Sequence, residues 1–192
     1  MRALVFTLLA AWSAVSAAAT PTEKPPLPYY DWKACPFECC TYRRWKAEKS
    51  VVAYKTRNQK AEVAFRVEKG EWVRGIDGVV ITHRYGVTKV LKQMELGYTK
   101  RGDKPVLSLQ PGELVYTLHY LGEGSELFWY KGQVYSDQIS AGKPDPDPPP
   151  PELNVQVLSL AKYTWWAKIT NKAGDVGWTN EAHKFGNVDA CG

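Results

Sequence analysis

The stretch WWAKITNKAGDVGWT, residues 165–179, carries the strongest fold signal in this 192-residue chain. An aromatic and β-branched run ends at Thr170, and a turn around Asn171 and Gly174 separates it from a second short run, residues 176–179. Two such runs around a turn rich in Asn and Gly predict a β-hairpin. Because both arms carry tryptophan, the stretch also indicates a sheet with a large aromatic surface.

Alternation along the first arm assigns its side chains to two faces of the predicted sheet. Trp165, Ala167 and Ile169 form an apolar set, which we expect to face the core. Trp166 and Lys168 belong to the other set, so we expect Trp166 to project from the polar face.

The chain after Trp45 consists of short apolar runs cut by turn residues, which is typical of an all-β protein. Asp77-Gly78 between two apolar runs favours a two-residue hairpin turn. The predicted strands cover residues 51–55, 61–67, 71–76, 79–85, 87–92, 113–121, 126–131, 133–139, 154–160, 164–170 and 176–179. The predicted core consists of Val63, Phe65, Val67, Val73, Val79, Ile81, Leu114, Leu118, Trp165, Ile169 and Trp178.

Residues 1–19 have the composition of a secretory signal peptide. Arg2 precedes an apolar run, and the small residues 17–19 fit a cleavage site. The apolar run is too short to span a bilayer, and no later segment approaches that length, so we expect no transmembrane segment. The expected product is exported, either periplasmic or extracellular.

Two β units follow, covering residues 45–104 and 105–192. Residues 69–73 (KGEWV) and residues 110–115 (QPGELV) each place Gly-Glu before apolar residues at the start of a strand. This similarity predicts a divergent tandem repeat. Residues 143–152 (KPDPDPPPPE) interrupt the second unit, because proline lacks the donor that a sheet ladder needs.

A proline-rich leader, residues 20–44, contains Cys35, Cys39 and Cys40, and the fourth cysteine is Cys191. An even number of cysteines in an exported chain predicts two structural disulfides. A bond between the neighbours Cys39 and Cys40 is sterically poor. Two connectivities remain, Cys35–Cys39 with Cys40–Cys191, or Cys35–Cys40 with Cys39–Cys191.

The pattern W-A-K-I and then G-D-V-G-W-T, within residues 166–179, resembles the end of bacterial Src-homology-3-like (SH3b-like) domains. In that family a W-x-K-V strand precedes a G-x-x-G-W-V hairpin. Residues 69–73 are similar to the family's G-E-x-V strand entry, although the first copy lacks the G-W ending. The resemblance covers residues 50–185 and implies tandem small SH3-like barrels, joined here to an N-terminal disulfide-linked segment. It also implies a non-enzymatic role in binding cell-wall peptides.

Residues with catalytic chemistry are sparse. The three histidines are scattered without ligand spacing, so we expect no metal and no cofactor. Glu123 and Glu126, together with Asp137, would be the carboxylates of a glycoside hydrolase, a minor alternative.

The net charge is +5, from 25 Lys and Arg against 20 Asp and Glu, and the two signs are interspersed. The chain contains no dense basic block of the kind that binds nucleic acid, so we do not expect nucleic acid as a partner. Aromatic side chains concentrate at recognition sites. The candidate binding residues are Trp166, Tyr130, Trp178, Tyr120 and Lys168.

We therefore expect an exported, non-catalytic protein that binds cell-envelope material, either peptidoglycan or a wall-associated peptide. The alternative is a structural or protein-interaction domain of the envelope, in which the tryptophans are core residues.

Overall fold

A computed structural model describes residues 23–96, 98–99, 107–140 and 142–190. The predicted signal segment, residues 1–19, lies outside this part of the chain. Strands account for 52% and helix for 2% of the described residues, so the predicted all-β class is confirmed.

The strands of the described residues are short, apart from three of nine or more residues. In chain order they are β1 (Tyr29–Trp32), β2 (Arg44–Ala47), β3 (Val51–Tyr54), β4 (Val63–Val67), β5 (Trp72–Arg84), β6 (Val87–Val90), β7 (Met94–Leu96), β8 (Tyr98–Thr99), β9 (Leu107–Leu109), β10 (Leu114–Gly122), β11 (Ser125–Tyr130), β12 (Gln133–Asp137), β13 (Val155–Ser159), β14 (Lys162–Thr170), β15 (Val176–Thr179) and β16 (Phe185–Gly186). A 3₁₀ turn, Ala182–Lys184, precedes β16.

The first sheet curls into a half-barrel with the strand order β16-β2-β5-β14-β15-β3-β4. Its central strand, β5, is 13 residues long. That length allows β2 to pair with its first part and β1 with its second, while β14 pairs along nearly all of it. The concave side holds the main core, which contains Trp45, Ala47, Val51, Ala53, Phe65, Val67, Val73, Ala167, Ile169, Ala182 and Phe185.

The second sheet has the order β13-β6-β10-β11-β12-β8, and β7 pairs with β9 beside it. Its core contains Val90, Leu96, Leu109, Val115, Phe128, Tyr130, Tyr135, Ile139 and Val155. The proline-rich residues 143–152 contain no strand. They return along β13, where the Asp145 amide donates to the Val157 carbonyl at 3.1 Å.

Strand pairing crosses the boundary predicted between residues 104 and 105. β14, β15 and β16 follow that boundary in the chain, yet they pair with β5, β3 and β2. β6 precedes the boundary and pairs with β10 and β13. The physical reason is burial, because Ala167 and Ile169 on β14 complete the core that Trp45 and Val73 begin.

The predicted hairpin turn at Asp77-Gly78 is wrong, because β5 continues through both residues. Gly78 serves close packing instead. A Cβ at this position would overlap the Tyr42 hydroxyl and come within 2.7 Å of Trp165 Nε1. The absence of a side chain at Gly78 thus lets two aromatic residues pack directly on the strand.

The core prediction is correct for most of its residues and wrong for two. Val63 and Leu114 are 38% and 39% exposed. Each is the first residue of its strand, where neighbouring strands give little cover. Trp165 and Trp178 are half-buried and pack against core clusters.

The disulfide that the structure describes joins Cys35 and Cys40, whose Cα atoms are 5.4 Å apart. The connectivity that begins with Cys35–Cys39 is therefore wrong. Cys191 lies outside the described residues, so its bond to Cys39 stays a prediction. The end of the described chain does run beside this segment, since the Ala190 amide donates to the Cys39 carbonyl at 2.8 Å.

A buried polar contact joins the two sheets. His119 on β10 places Nε2 at 3.0 Å from Asp31 Oδ2 on β1, and its Nδ1 lies 2.9 Å from the Tyr120 carbonyl oxygen. A carbonyl oxygen only accepts, so Nδ1 carries a hydrogen. Nearby, the Thr82 hydroxyl donates to the Leu118 carbonyl at 2.9 Å.

Candidate functional site

Three aromatic rings and two cations contact one another along one region of the outer face of the first sheet. The Arg57 guanidinium lies 4.8 Å from the ring centroid of Trp32 and 5.0 Å from that of Trp178. Lys168 Nζ lies 5.7 Å from the Trp178 centroid, and Tyr30 stacks on Trp32 with centroids 5.8 Å apart. We call these five residues the aromatic row.

Strand register explains why residues distant in sequence share this face. Trp32 is directly opposite Val79, and Val79 is directly opposite Trp166. In the same way Lys168 is directly opposite Trp178. Opposite residues of antiparallel strands project from the same face, so β1, β5, β14 and β15 bring these side chains together.

Trp166 forms the floor of the aromatic row and is only 6% exposed. It packs with Val79 and Ile81, and Tyr54 meets its ring edge-on with centroids 6.4 Å apart. The predicted exposure of Trp166 is therefore wrong, although alternation assigned it to the correct face. Tyr54 and Trp178 cover that face, so Trp166 supports the row from below.

The outer members of the row are open to solvent. Trp32 is 51% exposed, and Tyr30 is also exposed. Arg57 is held between two indole rings, each contact contributing about 0.5–1 kcal/mol at an exposed site. The arrangement thus presents flat rings whose separation is set by a cation.

The structure separates the five predicted contact residues. Trp166, Trp178 and Lys168 come together at the aromatic row. Tyr130 is buried in the core of the second sheet, so its predicted role as an accessible contact is wrong. Tyr120 is exposed but lines a different cleft.

Sequence reasoning missed three members of the row, namely Tyr30, Trp32 and Arg57. The first two flank Asp31 with the period of two that a strand shows, aromatic on one face and buried carboxylate on the other. That alternation was the available signal. Arg57 lies between β3 and β4, and no local pattern indicates that it contacts two tryptophans.

The cleft at Tyr120 has a volume of about 500 Å³ and contains the buried carboxyl group of Glu126. The Ser140 hydroxyl donates to Glu126 Oε1 at 2.9 Å, and the Thr117 hydroxyl donates to Oε2 at 3.3 Å. Burial raises the pKa of Glu126, and the two hydroxyl groups offset part of that effect.

The other two carboxylates considered for hydrolysis, Glu123 and Asp137, line a separate depression. Glu126 is therefore the member of that set that faces the Tyr120 cleft.

The free energy of unfolding of Glu126→Gln, relative to that of wild type, is expected to increase as pH rises. The folded-state pKa of Glu126 lies above its ordinary value of 4.5, so the wild-type carboxyl group stabilises the fold at low pH. That contribution is lost as pH rises through the folded-state pKa. Urea unfolding of both proteins from about pH 4 to about pH 8 measures the difference.

The matched control is Glu95→Gln, which changes an exposed glutamate on β7. A stability difference between wild type and Glu126→Gln that is constant over this pH range contradicts the prediction.

No group of three or more His, Cys, Asp or Glu side chains in the described ranges is placed to hold a metal ion. The same residues include no helix with the length and apolar character needed to cross a membrane. Comparison with protein-family models, curated proteins and solved structures finds no match to this chain.

Proposed function

We propose that this chain is an exported, non-catalytic binding protein that recognises cell-envelope material, peptidoglycan or a wall-associated peptide. The observation that supports the proposal is the aromatic row, in which Arg57 separates the rings of Trp32 and Trp178. The row lies on an outer sheet face and exposes Trp32 and Tyr30.

The chemistry of the row suits such a ligand. Exposed indole rings offer large apolar faces at a low cost in side-chain entropy, and these faces pack against sugar rings or peptide side chains. Arg57 and Lys168 add cationic donors beside the rings, and peptidoglycan stem peptides carry carboxylates. The cation–ring contacts also hold the rings in place before binding, which reduces the entropy that binding costs.

Trp32→Ala is expected to weaken retention on purified peptidoglycan by about tenfold or more, because an exposed anchor ring is lost. The assay is a pull-down with peptidoglycan stripped of attached acidic polymers. Trp72→Ala is the matched control, since Trp72 is 43% exposed on the same sheet and lies outside the row. We expect this control to be retained like the wild type.

Two outcomes contradict the proposed function. One is the absence of wild-type retention, and the other is equal retention of wild type and Trp32→Ala. Urea unfolding of each variant establishes that a loss of retention reflects the surface and not the fold.

The second candidate is a structural or protein-interaction domain of the envelope. The burial of Trp166 and Tyr130 favours it, because two of the five predicted contacts are packed inside the protein. A folded wild-type protein that does not bind peptidoglycan supports this candidate over the first.

A further inference from the structure

A second region of the first sheet forms a groove with a volume of about 770 Å³. Its cationic lining residues are Arg44, Arg66, Arg74 and Lys172, and all four are exposed. Trp72 lies among them and is also exposed. We call these five residues the basic groove.

The described part of the chain provides little negative charge beside the cations of the basic groove. Arg44 and Arg74 are directly opposite each other on β2 and β5, an arrangement in which like charges destabilise the sheet. Within the described residues, none of the four cations forms an ion pair. Arg44 has the Trp72 ring at 5.0 Å as a partial substitute.

Among the residues that the structure describes, Glu71 supplies the one carboxylate that lines the basic groove. Its Oε2 accepts a hydrogen bond from the Glu68 backbone amide at 2.7 Å, so it has a structural role in the turn before β5. The groove therefore retains an excess of positive charge. An anion placed between Arg44 and Arg74 would relieve their repulsion.

The cations are spread over several elements, which favours an extended anion over a single ion. Arg44 and Arg74 lie on adjacent strands, Arg66 lies on β4, and Lys172 lies in the turn between β14 and β15. Guanidinium groups match carboxylates with paired hydrogen bonds. The exposed Trp72 ring beside them offers a face for a sugar ring.

We propose that the basic groove binds a linear acidic polysaccharide, with its carboxylates on the arginines and a sugar ring on Trp72. Acidic peptides lack the sugar ring, and the export predicted from residues 1–19 favours polysaccharide over nucleic acid. This site is separate from the aromatic row, and its preference for polysaccharide over nucleic acid rests on the export that the proposed function includes.

The test measures binding of polygalacturonate by isothermal titration calorimetry at low ionic strength, with uncharged dextran as the control ligand. The double variant Arg44→Gln/Arg74→Gln is expected to bind at least about tenfold more weakly than wild type. Trp72→Ala is also expected to bind more weakly than wild type. Arg84→Gln/Lys89→Gln removes the same charge from exposed sites outside the groove and is expected to bind like wild type. Added salt is expected to weaken wild-type binding, because the groove is exposed.

Equal loss in the two double variants overturns the proposal, because it assigns the binding to net charge alone. Tighter binding of polyglutamate or of oligodeoxythymidylate than of polygalacturonate also overturns it, in favour of an acidic peptide or a nucleic acid. Trp32→Ala is expected to bind polygalacturonate like wild type, and Arg44→Gln/Arg74→Gln is expected to retain binding to stripped peptidoglycan. The experiments can therefore contradict the proposal for the basic groove and the proposal for the aromatic row separately. Since the substituted side chains are exposed, no urea midpoint is expected to fall far below that of wild type. The midpoint of Arg44→Gln/Arg74→Gln is expected to rise slightly, because the repulsion between the two arginines is removed.

Discussion

Trp166→Ala is expected to lower the free energy of unfolding by about 3–5 kcal/mol, the usual cost of truncating a buried tryptophan. The indole is 6% exposed and packs with Val79 and Ile81, with Tyr54 edge-on to its ring. Its removal leaves a cavity below the aromatic row that Trp178 and Tyr54 cannot fill without moving. Urea unfolding of wild type and variant measures the loss.

Trp32→Ala is the matched control for that experiment. Trp32 is 51% exposed, so its truncation is expected to cost about 1 kcal/mol or less. The two tryptophans lie on one line of the sheet through Val79, and they differ mainly in burial. If Trp166→Ala also costs less than about 1 kcal/mol, the packed role of Trp166 is wrong.

Asp31→Ala is expected to lower the free energy of unfolding by about 3–5 kcal/mol, because it removes the carboxylate that His119 contacts while His119 stays buried. Asp31 and His119 are both buried, and their contact at 3.0 Å joins β1 to β10. Asp31 also lies between Tyr30 and Trp32 on β1. Its loss is therefore expected to weaken peptidoglycan retention as well, by loosening the strand that positions both rings.

A double-mutant cycle with His119→Ala tests this coupling in urea unfolding. If the pair is coupled, the double variant is less destabilised than the two single variants taken together, by about 0.5–3 kcal/mol. Additivity within about 0.5 kcal/mol contradicts a coupled pair. Weak retention of Asp31→Ala on peptidoglycan, at a temperature where the variant is fully folded, supports the positioning role of β1.

Local patterns predicted several elements with good boundaries. The predicted strand 51–55 corresponds to β3, and residues 176–179 match β15. The hairpin of β14 and β15 formed as expected, with Thr170 opposite Val176. Its signals are local, because alternation and turn residues act within a few positions of each other.

The predictions that are wrong concern residues at which tertiary packing overrides the local sequence pattern. Asp77-Gly78 has the composition of a turn, yet both residues lie within β5 and pair with β14, and Tyr42 and Trp165 pack where a Gly78 side chain would be. Trp166 alternates with core residues, which made it look exposed, but Tyr54 and Trp178 cover the second face of the sheet. Alternation distinguishes two faces and does not say whether the outer one is covered.

Local sequence patterns are enough to predict the all-β class, the aromatic hairpin and the division of Trp165 and Trp166 between opposite faces. These properties follow from period-two alternation and turn chemistry, which are short-range. Which cations contact which rings depends on the three-dimensional fold. Trp32, Arg57 and Trp178 lie far apart in the chain, and β5 brings β1 and β14 together through long-range pairing that is driven by burial. No local pattern encodes such a meeting, so the aromatic row and the basic groove became visible only in the folded protein.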